Sequence, residues 1–238
     1  MNATRLQTFW LSALLGLFGG AAPVGASVLL TTHDLPPYSF KGPNGQPEGL
    51  AVQVALCAFA QMNIAARIEF YPWKRAQFMV EKGEAVGFLA ASQASSRDEF
   101  AVLSAAIAPQ QWVWFQLQSH PLTPGTTDFK TQAQTSSFLG ANMQDWLQDE
   151  GYRTTAAPRL NSMLLEMLRH RRIDAILANR LVMEKLLKEE QPSQPSLRAT
   201  LALDKPLGIY VSKRFLSSQN SNFMPRLDAA IARCGAKN

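Results

Sequence analysis

Apolar residues along this chain fall into two kinds of run that alternate. Short runs such as residues 86–91 are apolar at successive positions, the pattern of a strand buried on both faces of a parallel sheet. Longer stretches such as 50–62 place Leu50, Val54, Cys57, Ala58 and Met62 close to the spacing of one helix face. From 27 to 91 the order reads strand (27–32), helix (50–62), strand (66–71), helix (from 73 to about 82, stopped by Gly83) and strand (86–91). That alternation predicts an α/β fold, a parallel sheet with helices on both faces.

The second half repeats the pattern. Residues 111–117 read as a strand leaving the first unit, and 120–127, with two prolines and a glycine, as a loop. Then come a strand (136–139), a helix (143–150, ended by Gly151), a strand (152–156), a helix capped by Asn161 and running to 171, and a buried strand (173–178). A helix (181–189), a polar loop (191–196), a strand (207–211) and a last helix from Asn222 to Cys234 complete the chain. Crossings near 107–113 and 201–209 join the two units. The expectation is a first lobe from 27–108, a second from 109–205 and a return to the first over 206–238. Two lobes joined by two crossings form a hinge, and the cleft between them is the default binding site.

Candidate chemistry gathers where the first three strands end. Two prolines stiffen the loop that holds Tyr38 and Phe40, Trp73 opens the second helix, and Arg97 closes a polar loop containing Ser92, Gln93, Ser95 and Ser96. Ligands of open α/β sheets sit beyond the carboxyl ends of strands, and the arginine fork matches a carboxylate best. The competing reading of Arg97 is a surface ion pair with Asp98 or Glu99. Tyr38 and Phe40 equally suit capping of the core. Arg75 is a second candidate cation for the cleft, with helix capping or exposure as its alternatives.

Composition then sets the address. Arg5, the apolar run 9–18 and the small residues 24–26 make a secretory signal peptide, with cleavage after Ala26. The run is shorter than the roughly 20 residues of a membrane span. A soluble periplasmic product is expected, large enough for two lobes of about 100 residues each. The chain carries 23 Lys and Arg against 18 Asp and Glu. That mild excess, with Arg169, His170, Arg171 and Arg172 at a helix end, argues against nucleic acid as a partner. Cys57 and Cys234 either pair in the oxidising compartment or stay as buried thiols, Cys57 on the core side of its helix. His33, His120 and His170 are scattered, so no metal site and no cofactor are expected.

With these residues in view, the chain resembles the bacterial periplasmic solute-binding proteins of family 3, the polar amino acid group. The resemblance covers nearly all of 27–238. It rests on PPYSF (36–40), Glu48-Gly49-Leu50, PWKRA (72–76), GEAVGFLAAS (83–92), SSRDEF (95–100), SSFLGANMQDWL (136–147) and RRIDAILANR (171–180). PWKRA resembles the branch of the family often found without an adjacent transporter gene. The resemblance implies a two-lobed, type II binding protein, monomeric and not an enzyme, that closes on a small polar ligand and presents it to a permease or a sensor. It implies that Arg97 clamps a carboxylate with Ser92 beside it, and that Asn142, after Gly140 at a helix start, contacts the same group. Three positions depart from the family's pattern. Asn179 stands where an acid receives the ligand ammonium, Leu35 where an aromatic ring stacks, and Gln53 where the first helix has an acid. Tyr38 and Trp73 are the candidate substitutes for the ring. A weakly bound amino acid or a carboxylate without an ammonium are both compatible with those losses. A sensor or orphan partner with a degenerate cleft is the alternative role, and a dehydratase on the same fold a weaker one.

Overall fold

The computed structural model describes residues 27–189, 194–219 and 221–235. The signal peptide read at 1–26 and part of the loop read at 191–196 lie outside the described residues. The first lobe begins with β1 (Val28–Thr32), a small hairpin of β2 (Phe40–Lys41) and β3 (Pro47–Glu48), then α1 (Leu50–Gln61) and β4 (Ala66–Phe70). It continues with α2 (Trp73–Lys82), β5 (Gly87–Ala91), the single turn α3 (Ser95–Asp98) and β6 (Ala101–Leu103). The chain crosses into β7 (Gln111–Leu117), α4 (Thr127–Gln132), β8 (Gln134–Ser136), α5 (Asn142–Asp149) and β9 (Arg153–Thr154). Next are α6 (Asn161–Arg169), β10 (Ala175–Asn179), α7 (Arg180–Glu189) and β11 (Leu197–Asp204). It then returns with β12 (Gly208–Ser212), α8 (Lys213–Ser217) and α9 (Phe223–Gly235).

Two five-stranded sheets result, in the orders β4-β1-β5-β12-β6 and β11-β7-β10-β8-β9. In each, three strands run parallel, β4, β1 and β5 in one and β10, β8 and β9 in the other. The remaining strands are antiparallel additions, because the chain enters and leaves each lobe along its sheet. Helices cover both faces, as the fully buried strands β5 and β10 require. In the first lobe Leu30, Phe59, Leu89 and Leu227 pack on one side of the sheet, with Phe88, Val80 and Tyr210 on the other. In the second lobe the two layers centre on Phe115, Leu164 and Ile176, and on Trp112, Trp114 and Phe129.

The crossings pair with each other. Ile107 N–H donates to the Leu207 carbonyl at 2.7 Å, Leu207 N–H to Ala108 at 2.9 Å and Lys205 N–H to Gln110 at 2.9 Å. This two-chain ribbon is the hinge between the lobes.

The structure corrects four local readings. Residues 197–204 form the eight-residue strand β11, its second half lying where a crossing was expected from 201. The strand expected over 136–139 ends at Ser136, so Ser137 and Phe138 belong to the loop that approaches the other lobe. Asn161 is the first residue of α6 rather than its cap; Leu160 holds the cap position and makes no side-chain bond. Cys57 lies on the exposed side of α1, not in the core.

Cys57 and Cys234 form a disulfide with their Cα atoms 6.0 Å apart, joining α1 to α9. It closes a loop spanning 177 positions, and long loops lose most freedom in the unfolded chain. The variant Cys57→Ser is therefore expected to lose about 2–5 kcal/mol in a urea titration, and a loss under about 0.5 kcal/mol would contradict this role.

Candidate functional site

The carboxyl ends of the parallel strands in both sheets face one another across the hinge. β1 delivers His33, β4 leads into Trp73 at the start of α2, and β5 leads into Ser92 and the α3 turn carrying Arg97. From the second lobe, β8 leads through Phe138 to the start of α5 at Asn142, and β10 ends on Asn179. A cavity of about 50 Å³ lies where these ends meet. It adjoins an open groove of about 700 Å³ that shares His33, Trp73 and Phe138 and carries Lys41, Arg159 and Lys185 on its rim.

A backbone irregularity aims the Ser92 loop. Opposite Gly208 and Ile209 the β5–β12 register shifts, and Ala90, left unpaired there, has φ +61°. That left-handed conformation costs an alanine roughly 1–2 kcal/mol. It turns the last residues of a fully buried strand toward the cavity. Gly140 serves the opposite wall: its φ is +81°, and an added Cβ would come within 3.1 Å of the Lys74 side chain. A larger residue there would require the Lys74 side chain to give by a few tenths of an ångström.

Arg97 is 4% exposed. Its Nε donates to Gln77 Oε1 at 2.9 Å and its Nη1 to the Ser92 carbonyl at 2.8 Å, while the guanidinium lies over the Trp73 ring at 5.2 Å. No described carboxylate forms an ion pair with it. Asp98 instead accepts from the Tyr210 hydroxyl at 2.7 Å and from Gln93 Nε2 at 2.6 Å, so the surface-pair alternative does not describe this residue. Burial lowers Arg97 to about 10, while Tyr210, Asp145 and Asp98 oppose the shift. It is charged at neutral pH.

Ser92 and Asn142 meet across the cleft. Asn142 Nδ2 donates to Ser92 Oγ at 3.1 Å and to the Gln93 carbonyl at 2.9 Å, tying the start of α5 to the first lobe. Trp73 forms part of the wall and stacks on His33, with ring centres 4.2 Å apart; Phe138 flanks the other side of His33 at 6.2 Å. Asn179 lines the cavity, and its Oδ1 accepts from Leu181 N–H at 3.1 Å and Val182 N–H at 3.4 Å. It caps α7, a role its place in the sequence did not suggest. Tyr38 is fully buried in the first-lobe core and does not line the cavity. Burial raises its phenol to about 12, against the pull of the nearby Asn179 amide, and the hydroxyl has no hydrogen-bond partner. Arg75 is half exposed outside the cavity, paired with Glu84 at 3.0 Å. Of the three departures, Leu35 and Asn179 line the cavity and Gln53 is exposed on α1.

His33, Gln110 and Phe138 also line the cavity, and sequence reasoning passed over them. His33 was weighed only as a metal ligand, yet it follows β1 as Trp73 follows β4. That strand-end position was the available signal.

No protein-family model matches the sequence, and no curated protein matches it. Solved structures do match. The arginine-bound form of truncated ArgBP from T. maritima superposes with a TM-score of 0.69 at 13% identity, over 87% of this chain and 95% of that one. A histidine kinase sensor domain with similarity to periplasmic binding proteins gives 0.74 at 15% identity, over 87% and 89%. An ancestral arginine-binding protein bound to arginine gives 0.69 at 15% identity, over 89% and 93%. The chain has the two-lobed α/β fold of these proteins.

Burial, and secondarily Arg97, holds His33 down from its ordinary 6.5 to about 3. A form in which His33 reaches water takes up a proton below pH 6.5, whereas the closed, folded form does not until about 3. Stability from the neutral ring is therefore complete above 6.5 and is lost as pH falls toward 3. Between pH 7 and 4 the wild type is expected to lose about 1–3 kcal/mol more than His33→Phe in urea unfolding. Equal losses in the two proteins would contradict this.

Proposed function

We propose that this chain is a periplasmic solute-binding protein that closes its lobes on a small carboxylate-bearing solute. The observation that carries the reading is Arg97, a buried guanidinium at an interlobe cavity that forms no ion pair with any described carboxylate. A buried charge is costly unless paired, and the group that best matches a guanidinium fork is a carboxylate. The first residues of α5 face the same cavity, and helix N-terminal N–H groups favour an anion there. Bound between lobes, such a ligand stabilises the closed form over the open one, and that difference is what a partner can read. The fold is that of proteins described as arginine-binding, and of the substrate-binding protein of an amino acid ABC transporter, which supports capture for transport. Among the described residues no helix is long and apolar enough to cross a membrane. A dehydratase needs a positioned acid or base. Besides Arg97 the titratable side chain on the cavity is His33, which burial makes a poor base at neutral pH.

A second reading, a sensory or orphan partner, has two observations behind it. The cavity is small and the lobes already bond directly through Ser92 and Asn142, and the fold is also that of a histidine kinase sensor domain. Permease and ATPase genes beside this one would favour transport, and a signalling gene would favour sensing.

The test is thermal unfolding of protein stripped of carried-over solute, screened with amino acids, mono- and dicarboxylates and cyclic acids. A ligand at 100 times its Kd adds about 2.7 kcal/mol, a shift of roughly 5–10 °C for a chain of this size. Arg97→Ala is expected to fold and to lose that shift entirely. A shift that survives in Arg97→Ala would place the carboxylate site elsewhere.

A further inference from the structure

The cavity wall offers several uncommitted N–H groups and, among the described residues, no carboxylate. Asn179 is 4% exposed, its Oδ1 is committed to the α7 cap, and its Nδ2 is buried beside the Tyr38 hydroxyl with no hydrogen bond of normal geometry. Gln110 is 6% exposed, and its Oε1 accepts from Trp112 Nε1 at 3.1 Å, leaving its amide N–H groups to offer. Arg97 has used Nε and Nη1 on Gln77 and Ser92, which leaves Nη2. These three groups are N–H donors; His33 Nδ1, also buried on this wall without a partner, donates or accepts according to the ring tautomer. Among the described residues no Asp or Glu lines the cavity. Much of the remaining wall is apolar, including Leu35, Ala91, Phe138, Leu177, Val182 and Leu207.

An ammonium brought into this cavity would meet the like charge of Arg97 and no carboxylate among the described lining residues, so it would shed its water without a counter-ion. A carbonyl or hydroxyl oxygen in the same place would satisfy an N–H that is otherwise buried and unpaired. We infer that the cavity selects a short carboxylic acid with no ammonium, a second acceptor oxygen beside the carboxylate and a small apolar body: a 2-oxo or 2-hydroxy acid. This rests on the carboxylate reading proposed above. The carboxylate lies on Arg97, the second oxygen accepts from Asn179 or Gln110, and the alkyl group fills the apolar side. The small cavity limits the chain length.

Titration calorimetry on stripped, refolded protein tests this with three sets of probes that differ at one carbon. Pyruvate is compared with alanine and propionate, 2-oxoisovalerate with valine and isovalerate, and lactate with alanine and propionate. The oxo or hydroxy acid is expected to bind at least tenfold tighter than both of its counterparts. Asn179→Asp keeps an oxygen for the α7 cap and puts an anion on the wall, so it is expected to reverse the preference toward the amino acid. An amino acid that binds wild type as tightly as its oxo acid overturns the inference and leaves the carboxylate reading standing. So does propionate binding as tightly as pyruvate, or an unchanged preference in Asn179→Asp. If no acid of any set binds, this inference falls, and the carboxylate reading is decided by the wider thermal-unfolding panel.

Discussion

A guanidinium held out of water with no ion pair among the described residues is the constraint on which the site depends. Arg97 keeps its position because its neighbours share the desolvation: Gln77 on α2 and the Ser92 carbonyl accept from it, and Trp73 presents its ring face. Gln77 and Trp73 follow β4 and Ser92 follows β5, so the arginine can be placed only after these strands have come together in the sheet. The left-handed Ala90 belongs to the same arrangement. A strand that ended regularly would carry Ser92 past the cavity, and the bulge redirects it at a cost of roughly 1–2 kcal/mol that the surrounding core sustains.

Closure uses two kinds of contact that fail under different conditions. The Ser92–Asn142 pair is a directional bond between the lobes, while the Trp73–His33–Phe138 stack is an apolar contact with a titratable ring at its centre. Both join the lobes on which the paired crossing segments, bridged at Ala108 and Leu207, converge. In the proposed role, the ligand adds to contacts the protein already makes, and its contribution is the difference between closed and open forms.

Much of the fold was legible because strands buried on both faces read as unbroken apolar runs. The run 86–91 and the stretch at 173–178 announced β5 and β10 for that reason. β11 escaped because neither of its faces is deeply buried: LRATLALD lies at the sheet edge with exposed positions scattered along it. α4 escaped because its six residues follow a proline- and glycine-rich loop and bury Phe129 alone. At the site, Arg97 and Trp73 were found through their strand-end positions. Arg75 fails by helix geometry, since residues two apart on α2 do not share a face and Trp73 already points to the cleft. Asn179 was noticed as the loss of an acid; that it caps α7, and so can offer only donors, needed the coordinates. Disulfide pairing likewise required the distance between α1 and α9, which no spacing along the chain encodes.

The most direct test of the central claim is a crystal structure at a resolution that distinguishes planar anions, from protein purified without denaturation and then soaked with the best-binding acid of the panel. The account predicts a carboxylate in the interlobe cavity with an oxygen within about 3 Å of Arg97 and no protein acid at that guanidinium. A ligand bound with its carboxylate away from Arg97, or Arg97 paired to a side chain of the protein itself in the bound form, would contradict it.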